Sequence, residues 1–316
     1  MELKNIKVGV LAGGVSEERD ISLLSGEQVF QSLLAKNIKT KFIKIESSDK
    51  QEVKSLVKAA EIDIAFIALH GSFGEDGKIQ AILEEIPIAY TGSGPEASVL
   101  AMDKVAAKER FKQAGILTPF YRLFSDNGYN CPDMNYPVVV KPRFSGSSFG
   151  VSIVSDKEEI KRAVKQALKF SKTVIIEDYV QGRELTVGIL GEKPLAIVEI
   201  IPKGDYFDFQ NKYIKGNSKF VVPAKLEEGL SERVKKTALT AHKALGCRDF
   251  SRVDLKIKNG IPYVLEVNSI PGLTINSLLP LSASASGIDF SQLIHLLLQN
   301  ALLRAEAPNC GEIYHG

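Results

Sequence analysis

Short β-branched runs, glycine turns and helical patterns alternate through the first hundred residues, and this constrains the fold more than any other feature. Ile6–Leu11 reads as a strand, Gly13-Gly14 as a tight turn, and Ile21–Ala35 as a helix with apolar pairs at Leu23/Leu24, Val29/Phe30 and Leu33/Leu34. A second strand over Ile62–Leu69 runs into HGSFGEDG and a helix from Lys78, and Ile88–Gly94 closes the unit. Repeated strand–turn–helix units predict a parallel sheet whose loops gather at the carboxyl ends of its strands. The expected class is therefore α/β. At 316 residues the chain has room for two or three domains, with divisions expected at 1–98, 99–183 and 184–316. In the third segment, Leu230, Val234, Ala238, Ala241 and Leu245 mark one face of a helix over Ser231–Leu245, with Ser231 as N-cap and Gly246 as the stop. SASASG, Ser282 to Gly287, reads as a loop.

Charge and cysteine usage exclude several function classes. A net charge of +2 supplies no basic field for nucleic acid or membrane surfaces. Cys131, Cys247 and Cys310 lie far apart, which disfavours a disulfide framework or a structural zinc site and fits a reducing compartment. MELKNIKVGVLAGG is too short in its apolar part for a signal peptide and reads as a first strand. No apolar run approaches spanning length, so a cytoplasmic location is expected.

KPRFSGSSFGV, Lys141 to Val151, follows the apolar run Pro137–Val140. Lysine with a Gly/Ser-rich turn suits phosphate, because small residues let backbone N–H groups approach an anion. The order is not that of a P-loop, where lysine follows the glycines and opens a helix. The stretch is thus a different phosphate grip or a plain hairpin turn. GSGPEA, Gly92 to Ala97, matches a dinucleotide fingerprint, but no acidic residue follows at the required place, and proline in a first helical turn explains it.

SRVDLKIKNGIPYVLEVN, Ser251 to Asn268, reads as two antiparallel strands around Asn259-Gly260. Val253, Leu255 and Ile257 alternate on the first strand, and Ile261, Tyr263, Leu265 and Val267 on the second. If both sets face one core, paired residues have an even index sum, the loop has an odd length, and a two-residue turn is excluded. Arg252, Asp254, Glu266 and Asn268 then share the opposite face. Two carboxylates and an amide suit a hard cation such as Mg²⁺, which shares phosphate oxygens and so implies a nucleotide. A solvated outer face with a salt bridge is the alternative, and Lys256 and Lys258 on that side fit it. The strand TVIIEDYVQGRE, Thr173 to Glu184, could offer its backbone to an adenine edge and Glu184 to ribose, or be an ordinary strand and turn.

Taken in order, these pieces resemble the ATP-grasp superfamily and, within it, the D-alanine–D-alanine ligases. The resemblance runs from Gly13 to Pro280. It rests on GGVSEERDIS at 13–22, HGSFGEDG at 70–77, MDK at 102–104, KPRFSGSSFGV at 141–151 and EDYVQGRELTV at 177–187. KYIKG at 212–216, RVD at 252–254 and EVNSIPGLTINSLLP at 266–280 complete it. It implies an N-terminal parallel-sheet domain followed by a two-lobed ATP-grasp fold, α+β in that part. It further implies ATP and Mg²⁺ (Mn²⁺ substituting), D-alanine as substrate, a homodimer, and a role in peptidoglycan precursor synthesis. Lys104, Lys141 and Lys212 would grip phosphates under a flap carrying Ser147 and Ser148. Glu177 and Val180 would meet adenine, and Glu184 ribose. Asp254, Glu266 and Asn268 would hold Mg²⁺. Glu18, with His70 nearby, would take the first alanine's ammonium, and Ser277 the carboxylate of the second. Ser147 and Tyr213 would bond across a closed lid at 203–220 in a network reaching Glu18. Arg252 and the Gly272 N–H would stabilise an oxyanion formed after an acyl phosphate.

Each residue also has a plainer reading: Glu18 as a helix-start acid, Tyr213 as packing, His70 as a satisfied core histidine, Ser277 as an N-cap. Arg143, Phe144, Ser145 and Ile275-Asn276 depart from the common pattern of such ligases. Tyr213 favours a dipeptide over a depsipeptide product. The rivals are another acid–amine or acid–alcohol ligase on the same fold, and a nucleotide-binding regulatory protein without chemistry.

Overall fold

Three sheets organise the protein in the computed structural model, which describes residues 5–125, 134–202 and 218–306. The first is parallel. Its elements are β1 (Lys7–Gly13), α1 (Arg19–Ala35), β2 (Lys39–Ile45), α2 (Lys50–Ala59), β3 (Ile64–Ile67), α3 (Lys78–Glu84) and β4 (Ala89–Tyr90), with strand order β2-β1-β3-β4. Every residue of β3 is buried, as expected of a parallel strand covered on both faces. Strand β2 and helix α2 lie between the two units read from the sequence. KTKFIKI is an edge strand, largely open to solvent, so its lysines mask the pattern, while Asp49 caps α2 by accepting from the N–H groups of Gln51 and Glu52.

The second and third sheets are antiparallel. Helices α4 (Pro95–Met102) and α5 (Lys104–Gln113) lead into β5 (Tyr121–Ser125), β6 (Val138–Pro142), β7 (Ser152–Val154), α6 (Lys157–Ala167) and β8 (Thr173–Asp178), with strand order β5-β8-β6-β7. The third contains β9 (Arg183–Leu190), β10 (Lys193–Pro202), β11 (Ser218–Val221), α7 (Glu228–Ala244), β12 (Phe250–Lys258) and β13 (Ile261–Asn268), ordered β11-β10-β9-β12-β13. Two helices follow, α8 (Leu278–Ala285) and α9 (Phe290–Glu306). The last returns to the first sheet: Leu293, Ile294, Leu297 and Leu298 share a core with Val8, Val10 and Phe66. Arg304 of α9 and the Gly92 N–H both bind the Asp249 carboxylate, which ties this helix and the edge of the first sheet to the third.

Three expectations are corrected. Helix α7 starts at Glu228, a turn earlier than Ser231, with Glu227 at the N-cap; acidic residues suit that end of the dipole. SASASG is not simply a loop, since Ser282–Ala285 finish α8. The small side chains let α8 lie close to β9, where a Cβ on Gly188 would come within 2.7 Å of Leu279. Finally, the hairpin does have a two-residue turn. Asn259 and Gly260 both take positive φ, 52° and 73°, and Lys258 pairs with Ile261. The odd register of the turn runs as far as Leu255 with Val264, and the even register is recovered from Asp254 with Glu266 onward. Leu265 is the extra residue of a β-bulge. Val264 takes the core position expected of Leu265, which is left facing a cavity.

Beneath this sheet, His242 of α7 is buried, with Nδ1 2.7 Å from Ser251 Oγ. Burial pushes its pKa down to about 4 from 6.5, so folding requires the neutral ring. Its stabilisation is complete above pH 6.5 and is lost as pH falls toward about 4, on the order of 3 kcal/mol in all. Melting temperature should therefore fall less steeply over that window in His242→Gln than in the parent. Parallel pH profiles of the two proteins would remove His242 from this role.

Candidate active site

The cavity between the two antiparallel sheets is built from strand ends. Residue Lys141 sits near the end of β6 and Glu177 near the end of β8, adjacent strands with Val139 opposite Glu177. Lys104 begins α5, whose N-cap Asp103 accepts from the Val105 and Ala106 N–H groups. The Arg143 guanidinium grips the same Asp103 carboxylate at 2.7 and 2.6 Å, and these bonds hold it below its ordinary pKa although burial acts to raise it. This bidentate contact fastens the start of α5 to the end of β6, and so fixes the spacing of Lys104 and Lys141.

The opposite wall comes from the third sheet. Glu184 pairs across with Lys256, and Asp254 with both Thr186 and Glu266. Lys104, Lys141, Ser148, Glu177, Val180, Glu184, Asp254 and Glu266 all line one space of about 840 Å³, open mouth included. Asn268 joins Lys104 and Glu266 around a smaller adjoining recess. Eight residues singled out from scattered motifs thus converge.

Charge is concentrated at Glu177. Its side chain is 2% exposed, and Lys141 and Lys108 lie 2.8 and 3.1 Å from its two oxygens. Burial alone would raise the carboxyl pKa; the two lysines outweigh it and hold it below the ordinary value. Burial likewise disfavours charge on Lys141, but Glu177 and Glu266 more than restore it. The sequence motifs do not include Lys108, and they leave Lys256 and Phe149, which also line the cavity, without a role. Lys108 had a signal, four residues after Lys104 on the same helical face.

Of the expected metal ligands, Asp254 and Asn268 are bonded to each other, and Glu266 pairs across the strands with Asp254. Asp254 accepts from Arg252 at 2.9 Å on each oxygen, from Thr186 Oγ1 at 2.6 Å and from Asn268 Nδ2 at 3.2 Å. Arg252 and Asp254 are 9% and 6% exposed, so this is not a solvated face. Among the described residues no three His, Cys, Asp or Glu side chains cluster as a metal site. The donors here are two carboxylates and an amide, all hard oxygen ligands, beside lysines suited to phosphate. That set fits Mg²⁺ or Mn²⁺ shared with a nucleotide.

Glu18, His70, Gly272 and Ser277 lie at the carboxyl edge of the parallel sheet. Glu18 occupies the N-cap position of α1 without a capping bond, and is buried. A Cβ on Gly146 would approach Glu18 Oε1 to 2.8 Å, so the Gly/Ser turn lies close against the end of the Glu18 side chain. In that turn Ser147 and Ser148 take φ of 47° and 59°, a strained conformation of the kind found at functional sites. Phe149 stacks on Phe170 with centroids 5.9 Å apart. Both His70 ring nitrogens are engaged, by Ser25 Oγ at 3.0 Å and by the Ile270 carbonyl at 3.2 Å. His70 thus joins the parallel sheet to the loop that carries Gly272. Ser277 precedes α8 without capping it; its Oγ lies 2.8 Å from Thr274 Oγ1 and would meet a Cβ on Gly272 at 2.9 Å. Lys212, Tyr213 and most of the expected lid at 203–220 lie outside the described residues.

Two antiparallel sheets that face each other across a lysine- and carboxylate-lined cavity, preceded by a parallel sheet, define the ATP-grasp class of enzyme. The family described as D-ala D-ala ligase C-terminus matches residues 121–299, and that described as D-ala D-ala ligase N-terminus matches residues 44–93. The chain is 42% identical over 307 residues to a D-alanine–D-alanine ligase of Geotalea uraniireducens, covering 96% of this chain and 98% of the relative. The structure of the Bacillus anthracis D-alanine–D-alanine ligase complexed with ATP superposes with a TM-score of 0.83 at 35% identity, over 95% of this chain and 98% of that one. A D-Ala:D-Ser ligase from Enterococcus faecalis superposes with a TM-score of 0.78 at 29% identity, over 94% and 99%. The chain belongs to the D-alanine–D-alanine ligase family, and is a ligase.

Proposed function

We propose that this enzyme joins two D-alanine molecules at the expense of ATP through an acyl phosphate, and so supplies a dipeptide for peptidoglycan precursors. The observation that carries this reading is the convergence of Lys104, Lys141, Asp254 and Glu266 on one cavity, with Glu18 reaching the turn that borders it.

A carboxylate is a poor electrophile, so it must be activated. One carboxylate oxygen of the first D-alanine attacks the γ-phosphorus, the bond to the β-bridging oxygen breaks, and ADP leaves. Such a transfer needs positioning and charge neutralisation more than covalent protein chemistry. Lys104 and Lys141 serve the phosphates, with Lys212 from the 203–220 segment, Ser148 along the Gly/Ser turn, Glu177 and the Val180 backbone at adenine, and Glu184 at ribose. Asp254, Glu266 and Asn268 would hold Mg²⁺, which when bound neutralises phosphate oxygens. Glu18, beside His70, anchors the first ammonium, and Ser277 the second carboxylate. The neutral amine of the second D-alanine attacks the acyl carbon, the carbon–phosphate oxygen bond breaks, and phosphate leaves. Arg252 and the Gly272 N–H would receive the oxyanion. Ser147 and Tyr213 close the network over the intermediate, which must be kept from water. A homodimer and a cytoplasmic location accompany this reading; among the described residues no helix is long and apolar enough to cross a membrane.

The test supplies Mg-ATP with D-alanine, with L-alanine, or with D-alanine plus D-lactate or D-serine, and identifies products by mass. ADP and phosphate should appear only with D-alanine, with the dipeptide as main product. Nucleotide binding without turnover would replace this reading by that of a regulatory protein. A mixed product would keep the mechanism and move the specificity, the outcome favoured if exposed Ile275 and Asn276 open the second subsite.

A further inference from the structure

Lys108 presents a problem the proposed chemistry does not solve. Its side chain is 1% exposed, and a buried cation is costly unless something requires it. Glu177 already has a cation in Lys141, so the pair would be neutral without Lys108. Nor does Lys108 line the cavity, as Lys141 does. It is nevertheless carefully held: Nζ donates to Thr118 Oγ1 at 2.7 Å and to the Pro119 carbonyl at 3.4 Å, on the chain leading into β5. From there it faces the buried Glu177 Oε1 at 3.1 Å, on the side of the carboxylate away from Lys141.

We infer that Lys108 is a positioning residue for nucleotide use: it holds Glu177 ionised and in place when Lys141 turns from that carboxylate to phosphate. This rests on the reading that the cavity takes ATP with Glu177 at the base. Lys141 cannot serve both groups with one ammonium. If it were the sole partner of Glu177, the two would close on each other, and each would be lost to the nucleotide. With Lys108 behind it on Oε1, Glu177 keeps a counter-charge throughout, and Oε2, once Lys141 leaves it, can accept from an amino group such as that on adenine. A purine bearing a carbonyl there would meet the carboxylate's negative charge instead, so Lys108 also supports discrimination between ATP and GTP.

The experiment measures kcat and KM for ATP and for GTP in the intact enzyme and in Lys108→Met, Glu177→Gln and the double variant. Lys108→Met should raise KM for ATP by roughly tenfold or more with kcat within about threefold, and should narrow the preference for ATP over GTP. The double variant should be no worse than Glu177→Gln alone, because Lys108 acts through that carboxylate. Losses that multiply would overturn the proposal, as would a rise in KM with an unaltered ATP/GTP ratio. If Glu177→Gln itself leaves nucleotide use unchanged, the placement of the base fails instead. Should Lys108→Met not fold, Thr118→Val removes the hydroxyl that holds the ammonium. A rise of a few fold in KM for ATP, absent in the Glu177→Gln background, is then expected, and an unchanged KM would overturn the proposal.

Discussion

Arg252→Ala should lower turnover by roughly 10²–10³-fold with the fold intact, the effect of removing one preorganised oxyanion donor. The fold should survive because Asp254 keeps Thr186 Oγ1 and Asn268 Nδ2 after the guanidinium is gone. Arg252→Lys separates charge from geometry. It restores a cation but not the planar fork that meets both Asp254 oxygens, so it should recover only part of the loss. Single-turnover measurement of ADP release should be affected less than dipeptide formation, because the oxyanion arises in the second step. Near-normal turnover in Arg252→Ala would take Arg252 out of this role.

Lys141→Met should have the largest effect on nucleotide affinity. Truncating one partner of a buried charge pair costs about 2–5 kcal/mol, which is roughly 30-fold or more in a binding constant. Glu177 would retain Lys108, so this carboxylate would not be wholly uncompensated and the chain should still fold, with a lowered melting temperature. Displacement of a fluorescent ATP analogue reads the affinity, and thermal unfolding reads the fold. Affinity within twofold of the parent would show that Lys141 serves Glu177 alone and not phosphate.

Much of the site was legible because its residues stand in short motifs of unusual composition. Asp254, Glu266 and Asn268 could be placed on one face by parity alone, and the register at that end of the hairpin is the one expected. Parity alone misses the turn, because it holds only for an uninterrupted ladder. Asn-Gly favours a two-residue turn locally, the carboxylates require the other parity, and a bulge reconciles them, which no periodicity reveals. SASASG was misread for a related reason. Serine and alanine suit a loop by composition, but here they finish a helix that needs small side chains to approach β9. Lys108 was passed over because a helix lysine is ordinarily exposed, and only the packing of α5 against β8 makes it otherwise.

The bulge at Leu265 also bears on how such a chain can change length. Insertions and deletions are usually tolerated at hairpin tips and punished in the strands. Here the tip and the ligand-bearing end are separate reading frames, joined at one residue. Loss of Leu265 would only mend the ladder, since Val264 already pairs with Leu255 and Glu266 with Asp254, whereas loss of Val267 would turn Asn268 inward, since a one-residue slip exchanges the faces of a strand. Paired changes of length at the Asn-Gly tip would leave the ligands where they are. The hairpin therefore has a free end and a fixed end: length can change at the first, while the second must keep count.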